Sequence, residues 1–222
     1  MEKKIVWSHS ALKDYEGCAR RYHETRVLKK HPFEKTEQII YGEELHKAAE
    51  LYVRDGEPLP EQFSFVKPTL DALVEKPGRK FAEHKMALTI DLRPCDFMAE
   101  DVWVRGIADL LILDDDGLTA WIVDYKTGNN KYPDLKQLEL MSLMVFAHFP
   151  HIRLVNSALL FVVKNTMNKM KMTVDQADKA WWNYRERVAR LAGSFETGVW
   201  NPNQSPLCKW CPVRGCEFNP KH

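Results

Sequence analysis

The sequence predicts an α/β fold, a mixed central sheet flanked by helices. Three observations carry this. Stretches rich in β-branched and aromatic residues fill the middle of the chain, helical patterns stand on both sides of them, and a further helix interrupts the strands. At 222 residues the chain is long enough for one domain with a sizeable core. We expect a single domain over 1–222, with a helical N-terminal part at 1–85, a core at 86–172, and a C-terminal helix and cysteine tail at 173–222.

The elements follow in order. "SHSALKDYEGCARRYHETRVL" opens on serines that can cap a helix and continues with apolar residues at helical spacing. "TEQIIYGEELHKAAELYVRDG" reads as a second helix ending at Gly56. "TLDALVEKPGRKFAEHK" is helical in part and breaks at "KPG". "MALTIDL", "VWVRGIADLLILDD" and "LTAWIVDYKTG" read as strands, and "DDDG" at 114–117 predicts a hairpin turn between the last two. It is not a calcium loop, because the alternating acidic pattern and distal Glu are missing. "PDLKQLELMSLMVFAHF" is a helix with Pro133 near its start. "IRLVNSALLFVVKN" and "KMKMTV" return to strands, and "DQADKAWWNYRERVARLAGSFETG" is a long helix ending at Gly198.

The composition is that of an ordinary globular protein, with 45% hydrophobic and 28% charged residues. No apolar run is long enough to span a bilayer. The N-terminal "MEKKIVWSHS" lacks the apolar stretch and cleavage site of a secretory signal, which predicts a cytoplasmic setting and no membrane partner. A net charge of +1 neither announces a nucleic-acid binder nor excludes one with a local basic groove.

The chemistry concentrates at the exit of the strand "IVDYKTG". Residues two apart in a strand share a face, so Asp124 and Lys126 point together while Tyr125 points away. Asp109 stands inside the otherwise apolar "VRGIADLLIL", which the hairpin pairs with the Asp124 strand. Two carboxylates can hold a hard divalent cation, which polarises a phosphoryl group and acidifies a bound water. A lysine beside it can orient or deprotonate that water, or neutralise the developing charge. Taken alone, Asp-x-Lys is most often a salt bridge at a strand end.

The context changes that. "GIADLLIL", a turn and "IVDYKTG" resemble motifs II and III of the PD-(D/E)XK nuclease superfamily, whose core is restriction-endonuclease-like. The match is to its RecB-like exonuclease branch, with G-x-x-D and D/E-Y-K-T-G one hairpin apart. His46 in "YGEELHKAAE" resembles the metal-ligating His of that branch's G-x-x-x-H motif. Glu83 in "KFAEHKMALTI" resembles the acidic position preceding the first core strand, and Gln137 the Gln of Q-x-x-x-Y. The motif's Tyr, at a position thought to lie near DNA, falls at Met141, which with Leu143, Met144 and Phe146 reads as core, and Tyr132 is a candidate substitute. The resemblance implies that Asp109, Asp124, His46 and the Tyr125 carbonyl bind Mg²⁺ or Mn²⁺, the imidazole favouring Mn²⁺. It gives Lys126 the water or the transition state, Glu83 a water-mediated part, and Gln137 the orientation of substrate or Lys126.

"CKWCPVRGC" sets Cys208, Cys211 and Cys216 at spacings that can wrap one soft metal, and Cys18 supplies a fourth thiolate. "SALKDYEGCARRYH" is similar to the lead S-x-L-x-x-Y-x-x-C-P-R-R-Y of the iron–sulfur RecB-like nucleases, the pattern of CRISPR-adaptation and AddB-like members, with Ala19 for Pro. That resemblance implies a 4Fe-4S cluster stapling the two chain ends; Zn²⁺ on the same thiolates is the alternative, and Cys95 stays out of it. Arg20, Arg21, Lys131 and Lys136 are candidate DNA contacts, as are Lys164, Lys169 and Lys171. Trp181 and Trp182 are read as core, beside Tyr184.

The expectation is therefore a metal-dependent DNA exonuclease that acts on single-stranded or end-bearing duplex DNA. Its setting would be recombination, repair or phage DNA processing in a bacterial or phage-infected cell. No helicase motif is present, so any motor is a partner. Two alternatives come from other classes: a catalytically weak nuclease-derived scaffold that binds DNA or a helicase, which Met141 supports, and a zinc-stapled interaction protein.

Overall fold

In the computed structural model, residues 5–128 and 131–220 are described. The elements in chain order are α1 (His9–Gly17), α2 (Ala19–Tyr22), α3 (Glu37–Asp55), α4 (Lys67–Glu75), β1 (Arg79–Leu88), β2 (Val104–Leu113), β3 (Thr119–Lys126), α5 (Leu135–His148), β4 (Leu154–Phe161), β5 (Thr166–Thr173) and α6 (Ala177–Thr197). The chain divides into two compact units, Lys35–Trp181 and a second built from the chain's two ends, up to Glu34 and from Trp182.

The first unit is a five-stranded sheet in sequence order, β1-β2-β3-β4-β5. Every neighbouring pair is antiparallel except β3 and β4. That one parallel pair needs a long crossover, and α5 provides it. The β2–β3 turn closes where "DDDG" predicts, with Asp114 N–H donating to the Thr119 carbonyl and Gly117 in the left-handed region. On one sheet face, Leu45, Ala48, Ala49, Phe63, Val66 and Leu70 pack against Leu110, Ile112, Val123, Tyr125 and Leu160. The residues alternating with these, such as Leu111, Ile122 and Leu159, are equally buried, and α5 lies against all five strands.

Two elements depart from expectation. The first strand begins at Arg79 rather than Met86, so Glu83 lies within it and not ahead of it. β1 is an edge strand with one face open, and its charged residues hide the alternation that marks a half-buried strand. The N-terminal helix also breaks at Cys18, whose extended backbone ends α1 and whose sulfur caps α2 by accepting the Arg21 N–H. Among the described residues, no helix is long and apolar enough to cross a membrane.

Candidate functional site

The site forms where β2 and β3 separate. Their register runs from Leu113↔Ala120 to Leu110↔Val123. One residue further, Asp109 leaves the ladder and its Oδ2 accepts the Tyr125 backbone N–H at 2.7 Å. β1 is paired on both sides of that point, at Ala82↔Leu110 and His84↔Ala108, which sets Glu83 opposite Asp109. Glu83 has a φ of +49°, a left-handed backbone that non-glycine residues seldom adopt. Strain of this kind inside a strand is characteristic of functional sites. From α3, His46 brings Nδ1 to 3.3 Å from Asp109 Oδ2. His46, Glu83 and Asp109 each offer a ligand atom, all within 4.8 Å of one another.

Beside them stands a second group. Asp124 is 4% exposed, with Lys126 Nζ 2.5 Å from its Oδ2. Gln137, in the first turn of α5, donates through Nε2 to Asp124 Oδ1 and accepts from Lys126 Nζ at 3.1 Å. One amide thus ties the acid and the lysine together. Tyr125 points to the opposite face, as strand alternation requires, and its ring meets His46 edge-on at 6.0 Å.

The electrostatics are those of crowded acids. Burial, then the charge of Asp109, pushes Asp124 up to about 6 against the opposing pull of Lys126. Glu83 is raised by the same two causes in the same order. Burial pulls the His46 imidazole down, but its hydrogen bond to Asp109 and the surrounding carboxylates outweigh that, and it rises. A hard cation would relieve this crowding, and three converging oxygen and nitrogen donors suit one.

A cleft of about 540 Å³ opens onto this group. Its wall on α3 is the stripe Gln38, Gly42, His46 and Glu50, spaced one helical turn apart, and Ile107 and Thr127 stand across from it. Sequence reasoning placed Gly42 only in a motif. A Cβ there would come within 3.2 Å of Thr127 Oγ1, so glycine lets α3 close on the strand end. Met141 lies in the core, as the apolar run of its helix predicts. Met141 is 4% exposed and packs where a side chain on Gly106 would otherwise sit.

Lys131 and Lys136 are exposed, Lys131 with Nζ 5.3 Å from the Tyr132 ring. Arg20 and Arg21 belong to the other unit and are engaged there, Arg20 with the Gly215 carbonyl and Arg21 with Asp14. Trp181 and Tyr184 are buried, whereas Trp182 is 62% exposed.

Within the terminal unit, Cys18, Cys208, Cys211 and Cys216 line one recess. Backbone N–H groups point at the sulfurs: Arg21 and Asn203 at Cys18, and Ser205 at Cys208. Such donors suit thiolates.

Residues 6–216 match the sequence model of the PD-(D/E)XK nuclease superfamily. No curated protein sequence matches significantly. Among solved structures, the chain resembles one from Eubacterium rectale, provisionally described as an exonuclease, with 12% identity and a TM-score of 0.53 over 94% of this chain and 87% of that one. At that identity the likeness is one of fold. A second, SSO0001, aligns with 15% identity and a TM-score of 0.44 over 96% of this chain and 85% of the other.

Proposed function

We propose that this chain, which belongs to the PD-(D/E)XK nuclease superfamily, is a metal-dependent deoxyribonuclease and acts as an exonuclease of the RecB-like branch. The observation that carries the reading is the junction of two groups at one sheet fork: His46, Glu83 and Asp109 converging as ligands, and Asp124, Lys126 and Gln137 bound to one another beside them. Nucleases of this superfamily use divalent metals. Here Asp109, Asp124 and His46 would hold Mg²⁺ or Mn²⁺ with the Tyr125 carbonyl, and Glu83 would join directly or through water. Such an ion acidifies water and offsets charge on the phosphoryl group.

The chain's own residues then have defined tasks. Lys126 orients the attacking water and takes up or offsets charge as its oxygen bonds to phosphorus and the P–O bond to the leaving nucleotide breaks. Gln137 fixes the Lys126 ammonium by accepting from it, and fixes Asp124 by donating to it. The closed α3 wall keeps His46 against Asp109. The product is a hydrolysed phosphodiester, and the proposed setting is cytoplasmic DNA recombination, repair or phage DNA processing, with a separate helicase as a possible source of ends.

In the terminal unit, we propose that Cys18, Cys208, Cys211 and Cys216 hold a 4Fe-4S cluster. The amide-to-sulfur bonds and the shared recess support thiolates gathered on one metal, and the resemblance of the cysteine pattern favours the cluster over zinc. A brown anaerobic preparation containing iron and sulfide is expected; colourless protein containing zinc would reverse the assignment.

The activity is tested with linear single-stranded, linear duplex and covalently closed circular DNA in Mn²⁺, Mg²⁺ or EDTA. The reading predicts progressive loss of linear DNA with either metal, none in EDTA, and intact circles. Cutting of circles would make the enzyme an endonuclease, and no cutting of any substrate would overturn the reading.

A further inference from the structure

The β1–β2 ladder continues beyond the acidic group. Lys85 pairs with Ile107 and Ala87 with Arg105, so Lys85, Ile107 and Arg105 share the face opposite Met86 and Gly106. Gly106 faces Met141 and Met144 of α5, and Ile107, 37% exposed, lines the cleft with Glu83 and Asp109. The outward face therefore runs from Glu83 and Asp109 through Ile107 to the two cations. Lys85 stands two strand residues from Glu83, about 7 Å along the ladder, close to the step between neighbouring phosphates of an extended strand.

Both cations lean on one ring. Lys85 Nζ is 5.7 Å and the Arg105 guanidinium carbon 5.4 Å from the centroid of Phe97. The loop carrying Phe97 is tied to β1 by the Cys95 N–H, which donates to the Ala87 carbonyl. Among the described residues, no carboxylate lies within 4 Å of Lys85 or Arg105, and Arg105 Nε is buried without a hydrogen-bond partner. Two like charges gathered around one ring repel each other until an anion arrives.

We propose that Lys85, Arg105 and Phe97 form a phosphodiester-binding subsite that continues the acidic cleft and grips the DNA strand next to the phosphate being cut. The inference rests on the deoxyribonuclease reading and deepens it. Arg105 takes a phosphate oxygen through the terminal N–H groups of its guanidinium, Lys85 contributes a mobile charge, and Phe97 braces both.

The test is the salt dependence of binding of a fluorescent polythymidine strand, read by anisotropy in EDTA between about 50 and 200 mM salt. The Lys85→Gln/Arg105→Gln variant is expected to lower the slope of log Kd against log salt by about 1.4, or about 0.7 for each phosphate that is no longer neutralised. Lys85→Gln alone lowers it by about half as much, and because that position is exposed it carries the test if the double variant fails to fold. Arg105→Lys, which keeps the charge, holds the slope near native. In Mn²⁺ the double variant raises KM several-fold while kcat holds. An unchanged slope in folded variants of a chain that cuts DNA overturns the subsite and leaves the nuclease reading standing. A native chain that neither binds nor cuts DNA overturns both.

Discussion

Asp124 is a buried acid with a lysine at one oxygen, an amide at the other and a second carboxylate nearby, and it is raised to about 6 from an ordinary 3.8. An acid whose pKa is higher in the folded than in the unfolded chain binds its proton more tightly when folded. Metal-free stability is therefore present at low pH and falls as pH climbs through the window between those two values. Glu83 and His46, both raised, act in the same direction. The metal-free protein should melt several degrees higher at pH 5 than at pH 7.5 by scanning calorimetry, and Mn²⁺ should restore the difference at pH 7.5. Asp124→Asn should flatten the profile; a profile rising with pH would contradict this account. Asp109, Asp124 and Lys126 were legible in the sequence because charges inside apolar strands demand a reason. The tie through Gln137 was legible only as a choice, substrate or Lys126, because which group an amide meets depends on how α5 docks.

At the scale of elements, that docking depends on Gly106. A Cβ there would run into the Met141 side chain and lie 2.9 Å from Met144 Sδ, so glycine in mid-strand lets α5 sit close to β2. Gly106→Val should cost about 1–3 kcal/mol through overpacking, measured by urea unfolding. Met141→Ala should recover part of that loss, because the clash and the space it needs are shared. A neutral Gly106→Val would show that α5 docks by other contacts. Met141 was legible as core from the apolar run of α5, but its partner Gly106 was not, because which strand residue faces it depends on how the helix docks. The helices α3, α5 and α6 were legible from periodicity and their Gly and Pro boundaries. β1 was not legible over its first half, because an edge strand with one face on a cleft carries polar residues at both parities. The break at Cys18 was hidden too, since a sulfur accepting an amide N–H has no propensity signature.

At the scale of the molecule, one unit carries the acid–lysine fork and the other, assembled from the two chain ends, carries the four cysteines. A metal site joining residues about as far apart in sequence as Cys18 and Cys208 closes a long loop, and its binding energy becomes folding energy for that unit. Cys211→Ser should abolish visible absorption and lower the melting of the terminal unit, followed by proteolysis near residues 201–220. Retained absorption and an unchanged digest would remove Cys211 from the site.

Cutting at the fork of β2 and β3 is decided by one comparison: linear DNA in Mn²⁺ with the native chain and with Lys126→Ala, both shown to be folded by circular dichroism. Cutting should fall at least about 100-fold in the variant while DNA binding remains. A Lys126→Ala chain that cuts at the native rate would contradict cutting at the fork.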